Sequence, residues 1–103
     1  MPDNGPLTET TYYILLSLCK PRHGYGIMQR TAELSGGRVR LAAGTLYGAL
    51  NAMVDKGWIQ LLPGEGRKKE YRLTPRGMEV LKRELARLRE LVASGDLVMK
   101  EEV

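Results

Sequence analysis

Leu41-Ala-Ala-Gly-Thr-Leu-Tyr-Gly-Ala-Leu-Asn-Ala-Met-Val-Asp-Lys-Gly57 is the stretch whose reading decides the fold. Taken as a helix from about Gly44, it places Leu46, Leu50, Met53 and Val54 at the i, i+4, i+7, i+8 spacing of a buried stripe. The opposite side carries Thr45, Gly48, Asn51, Ala52 and Asp55, with Tyr47 at the border. That outer side is small and nearly smooth, so such a helix could lie deep in a groove as wide as the DNA major groove. The alternative is an ordinary amphipathic surface helix, and the stretch alone does not separate the two.

The residues that follow favour the groove. Gly57 is a glycine stop, after which Trp58 to Leu62 and Arg67 to Leu73 read as two strands around Pro63-Gly-Glu-Gly66. Arg67, Lys68 and Lys69 rise together at the tip of this hairpin, and Tyr71 and Leu73 share its buried face over Trp58 or Ile59. A charge run on a hairpin is often only an edge protected against aggregation. Directly after a candidate recognition helix, it also reads as a wing that grips phosphates.

Upstream, Leu7-Thr-Glu opens a first helix, with Thr8 as N-cap and Leu7 placed to staple against Tyr12. Tyr12, Leu15, Leu16 and Cys19 make one apolar stripe, and Thr11, Ile14 and Leu18 a second one. A helix apolar around most of its girth must be covered twice, most simply by its own domain and by a second chain. Pro21 and Gly24 break this helix. A second begins near Tyr25, turns Ile27, Thr31 and Leu34 inward with Tyr25 and Met28 beside them, and closes at Ser35-Gly36-Gly37. Arg38-Val-Arg-Leu41 alternates basic and apolar residues and reads as a short strand leading into the third helix. Two helices and a connector before a small-faced third make a helix-turn-helix.

Thr74-Pro-Arg-Gly77 starts the last helix, with Thr74 as N-cap and Pro75 at the first position. Met78, Leu81, Leu85, Leu88 and Val92 recur at steps of three and four, the seam of a coiled coil. Packing on the domain's own core is the simpler alternative. The doubly apolar first helix favours a dimer seam, to which Tyr12, Ile14 and Leu18 would contribute. The helix is expected to end by Ser94-Gly95, leaving 96–103 as a flexible tail.

Composition agrees with a single domain of 103 residues, small enough for dimerisation to add useful stability. Residues 1–76 hold eleven Lys or Arg against six Asp or Glu, whereas residues 77–103 hold five against six. The positive excess therefore belongs to the part before the last helix, and the expected partner is a polyanion. No run of eighteen apolar residues is present for a membrane span, and Met1 to Pro6 lack the apolar core of a signal peptide, so the expected compartment is the cytoplasm. His23, the only histidine, has no ligand-type residues at metal spacing and reads as a helix-corner residue. Cys19 reads as a buried thiol. With one His, one Cys and no paired carboxylates, the chain offers no catalytic site, metal site or cofactor, and an enzyme is not expected.

The chain closely resembles the PadR family of bacterial transcriptional regulators in its short single-domain form. The resemblance runs from about Leu7 to Val92. It is carried by Leu7-Thr-Glu with Tyr12-Tyr-Ile-Leu-Leu16, His23-Gly-Tyr-Gly-Ile27, Gly44-Thr-Leu-Tyr-Gly-Ala-Leu50, Lys56-Gly57 and Tyr71-Arg-Leu-Thr74 with Gly77. It implies a mostly α fold with a small β-hairpin: a winged helix-turn-helix over residues 1–74 and a dimerisation helix over 75–95. It also implies a homodimer that represses by binding inverted-repeat operators in double-stranded DNA, in many relatives until a small molecule binds near the dimer interface. This sequence identifies no such effector. Carried over, Gly44, Thr45, Tyr47, Gly48 and Asn51 face the major groove, and Arg67, Lys68 and Lys69 form the wing. Where relatives often have a small polar residue and proline before this glycine, the chain has Ala42-Ala43, which removes an N-cap worth about 1 kcal/mol. The rival expectation is a winged-helix module for a protein or RNA partner, without operator binding.

Overall fold

The first element starts where a side chain can satisfy an otherwise orphaned backbone N–H. In a computed structural model describing residues 5–63 and 69–103, the Thr8 hydroxyl accepts a hydrogen bond from the Thr11 amide at 3.1 Å, and α1 runs Glu9–Ser17. The other described elements are β1 (Arg22–His23), α2 (Gly24–Leu34), α3 (Ala43–Asp55), β2 (Ile59–Leu62), β3 (Glu70–Leu73) and α4 (Pro75–Glu102). The architecture is mostly helical with a small antiparallel sheet, a winged helix-turn-helix carrying a long C-terminal helix.

The stripe of Ile14 and Leu18 is covered by the chain itself and that of Tyr12, Leu15 and Leu16 partly so, because α1 packs against α2 and α4. Ile14, Leu15 and Leu18 are sealed in the core, and Tyr12 and Leu16 lie half-buried against it. Ile14 and Leu18 are therefore not available to a second chain, which corrects the dimer face expected for them. Cys19 falls beyond the helix end at Leu18 and is exposed rather than buried.

The short strand lies elsewhere than the alternation suggested. Residues 38–41 form none; the Val39 amide donates to the Ser35 hydroxyl at 2.9 Å, and Arg38 turns to pair with Glu9. The edge of β3 is instead taken by β1, with Arg22 opposite Tyr71 and His23 opposite Glu70, giving the order β1-β3-β2. Arg22 Nε holds this corner by donating to the Ser17 carbonyl at 2.7 Å. His23 Nδ1 accepts from the Gly26 amide at 3.4 Å and caps α2, the corner role its isolation suggested.

Ile27 and Thr31 of α2 are fully buried, but Tyr25 and Leu34, expected to face inward, are 65% and 38% exposed. Gly36 and Gly37 leave α2 with φ of 64° and 84°, backbone that only glycine adopts without strain. Leu46, Leu50 and Met53 bury α3, whereas Val54, at 38% exposure, lies outside the stripe assigned to it. Gly57, at φ 77°, turns the chain from α3 towards β2, where Trp58 and Ile59 are buried.

The start of α4 is clamped to that turn. The Thr74 hydroxyl accepts from the Gly77 amide at 3.0 Å and donates towards the Gly57 carbonyl at 2.6 Å, while the Thr74 amide donates to the Trp58 carbonyl at 3.0 Å. Helix and strand approach so closely that a Cβ at Gly77 would overlap the Trp58 carbonyl oxygen. Further along, Glu84 is buried and accepts from Arg87 Nε and Nη2 at 2.8 and 2.6 Å and from the Leu7 amide at 3.3 Å. The Arg87 hydrogen bonds, with a smaller contribution from the Leu7 amide, outweigh burial and hold its carboxyl below the usual range. α4 does not stop at Ser94-Gly95 but continues to Glu102.

Candidate nucleic-acid interface

The outward side of α3 is built by small residues. Gly44, Thr45, Gly48, Asn51 and Ala52 are all exposed, and a Cβ at Gly44 or Gly48 would meet nothing within 4 Å. The Thr45 hydroxyl and Asn51 amide have no hydrogen-bond partner among the described residues, so both are free to meet a ligand. No acid stands on this side before Asp55, near the far end. As the missing polar residue foretold, Ala42 offers no side-chain hydrogen bond to the start of the helix.

Tyr47 has a second task that its position in the sequence did not reveal. It is 44% exposed, but its phenol lies across the start of α2, so close that a Cβ at Gly24 would sit 2.9 Å from its Cζ and closer still to its hydroxyl. The phenol of Tyr71 is its neighbour there, and burial first, then Tyr47, pushes the Tyr71 hydroxyl above its ordinary value. Tyr47 thus joins α3 to the start of α2.

On the hairpin, Lys69 is exposed just before β3, and Arg72 is exposed on the outward side of that strand opposite Gln60. Arg67 and Lys68 lie outside the described residues. Two further exposed residues, not among those expected to meet DNA, lie in the elements that precede α3: Tyr25 in the first turn of α2 and Arg40 in the connector. The apolar periodicity of α2 draws Tyr25 to its inward side, and the alternation at 38–41 makes Arg40 part of a short strand, so neither pattern assigns them to DNA.

The seam residues are divided by the fold. Leu81 is buried in the chain's own core and Met78, Leu85 and Leu88 are half-buried, whereas Val92 is 62% exposed. Leu91, within the expected helix, and Leu97, Val98 and Met99, past its expected end, also stand exposed. Among the described residues no helix is long and apolar enough to cross a membrane.

Known proteins share this arrangement. Residues 14–83 match the model of the transcriptional regulator PadR-like family. A PadR family transcription regulator from Clostridium difficile superposes with a TM-score of 0.74 at 24% identity, covering 89% of this chain and 99% of that one. RosR of H. salinarum gives 0.71 at 25% identity, covering 93% and 99%. An uncharacterized 37.1 kDa protein in transposon TN4556 of Streptomyces fradiae is 40% identical over 74 residues, covering 68% of this chain. The chain spans only 21% of that relative's length. With a family match across most of the winged helix and the fold to support it, the chain belongs to the PadR-like family of transcriptional regulators.

Proposed function

We propose that the protein is a sequence-specific DNA-binding transcriptional regulator, a repressor that acts as a homodimer on an inverted-repeat operator. The observation that carries this reading is the bare polar face of α3, with free Thr45 and Asn51 side chains and unobstructed glycines, beside an exposed basic hairpin. Gly44 and Gly48 let the backbone approach base edges, and Asn51 has the donor and acceptor that adenine presents in reverse. Tyr47 contributes an exposed ring edge and joins the helix to the start of α2. Lys69, with Arg67 and Lys68, supplies phosphate contacts that add affinity without sequence preference.

In the dimer, Met78, Leu85, Leu88 and Val92 of α4 contribute the seam, together with the exposed part of Tyr12. The two-fold axis then sets two α3 helices about 34 Å apart, one helical turn of DNA. Repression follows from occupying the operator, and an effector would act by changing that separation.

Selection of bound sequences from random duplex DNA tests the proposal. The expected product is an inverted repeat with half-site centres about 10–10.5 base pairs apart. Recovery of no enriched sequence, or of a single half-site only, would overturn it. Alanine at Arg67, Lys68 and Lys69 together should lower affinity for all duplexes while the dimer persists; an interaction module for another partner would show no such loss.

A further inference from the structure

A cleft of about 570 Å³ opens between α2 and the connector to α3. Tyr25 and Gln29, one helical turn apart, form one rim, and Arg40 and Leu41 form the other. The Arg40 side chain folds back over the connector, so that a Cβ at Gly37 would stand 3.1 Å from its Nη2. Its guanidinium is exposed and has no ion-pair or hydrogen-bond partner among the described residues. Glu33, the one acid lining the cleft, is already paired with Arg30 at 3.1 Å. The cleft therefore carries an uncompensated positive charge beside an exposed phenol.

Its place in the fold tells what that charge faces. Tyr25 follows Gly24, on which the Tyr47 phenol of α3 packs, and Arg40 stands in the connector shortly before α3 begins at Ala43. The cleft thus flanks the beginning of α3, whereas the basic hairpin follows its end. A helix in the major groove, about 12 Å wide, has a phosphate strand on each side. Arg40, which precedes the start of α3, and the hairpin, which follows its end, can therefore serve different strands.

We propose that Arg40 and the Tyr25 hydroxyl form a second phosphate grip, which holds the DNA strand opposite the wing. The guanidinium fork can donate two parallel hydrogen bonds to phosphate oxygens, and the phenol a third. This rests on the reading of α3 as a DNA-binding helix. Because Ala42 gives the start of α3 no side-chain anchor, the grip also fixes that end of the helix against the DNA backbone.

The test measures affinity of the full chain for a mixed-sequence DNA duplex across a salt series. Each phosphate contact contributes about 0.9 to the slope of log affinity against log salt, so R40Q should flatten the slope of a dimer by about 1.8. The corresponding loss is about 60-fold near 0.1 M salt and shrinks towards none near 1 M. R40K should retain the slope, and Y25F should lose about tenfold with the slope unchanged. Arg40 and Tyr25 are exposed, so melting curves of all three variants should match the parent chain. A steep slope that R40Q leaves unaltered overturns the grip while the DNA-binding reading stands. A parent chain with no duplex binding, or with a flat slope, overturns both. Y25F at parental affinity removes the phenol from the grip.

Discussion

Replacing Gly48 by alanine should make the protein more stable and a worse DNA binder, and the two effects have separate structural causes. Gly48 sits inside α3 with no positive φ, and a Cβ there would meet nothing within 4 Å. Glycine in a helix interior costs about 0.8–1.0 kcal/mol relative to alanine. With no clash to offset that gain, Gly48→Ala should stabilise the fold by about 0.5–1 kcal/mol, a rise in Tm of about 2–5 °C at fixed protein concentration. A glycine that weakens its helix and serves no internal packing makes sense where another molecule must approach the backbone. The added methyl would stand between α3 and the base edges, and operator affinity should fall at least about tenfold, since misplacing even one bidentate base contact costs about 1–3 kcal/mol. Gly95→Ala is the control for the stability half: it too lies inside a helix with open space around it and should gain similar stability. The assay pairs thermal melting with titration of the selected duplex. Parental affinity in Gly48→Ala would refute the assignment of this face to the groove, and a lowered Tm would refute the packing argument.

Two further outcomes follow from the clamp around α4. Gly77→Ala should destabilise by about 2–4 kcal/mol in a urea melt despite the better helix propensity of alanine, because its Cβ meets the Trp58 backbone, which cannot turn aside; an unchanged midpoint would contradict this. Glu84 has a folded-state pKa below its ordinary 4.5, so its stabilising contribution is complete above that value and is lost as pH falls through the folded pKa. Stability measured against pH should therefore drop more gently on the acid side in Glu84→Gln than in the parent chain, and parallel curves would show that the Arg87 and Leu7 contacts contribute nothing.

The features legible in the sequence were those with local causes. Thr8 and Thr74 cap the helices they were expected to cap, and Gly57 ends α3, because each needs only a few neighbouring residues to work. The exposed face of α3 was legible for the same reason: its periodicity is contained in thirteen residues. Strand β1 was not, since its pairing with β3 joins residues almost fifty positions apart and two residues have no alternation to display. The alternation at residues 38–41 had no sheet edge to meet, so it produced a connector. Periodicity also shows that Ile14 and Leu18 must be covered, but not by what; α2 and α4 of the same chain do it. By phase Tyr47 stands at the border of the two faces, and only the family resemblance assigns it to DNA; the contact with Gly24 reveals that its ring is also part of the support.

That α4 continues past Gly95 alters what the proposed dimer can rest on. At 28 residues the helix is about 42 Å long, and from Leu91 to Val103 every residue is exposed. Val92 and Met99 continue the register of Leu85 at seven-residue steps, and Leu91 and Val98, also seven apart, stand beside them, so an apolar stripe runs on towards the end of the helix. A helical segment this short is marginal in water without a packed face, and large apolar side chains in a row are costly to leave exposed. A second copy laid along the same stripe answers both costs. The residues that join the protomers would then also set the distance between the two α3 helices, so in this protein dimer stability and operator spacing are expected to vary together rather than as independent properties.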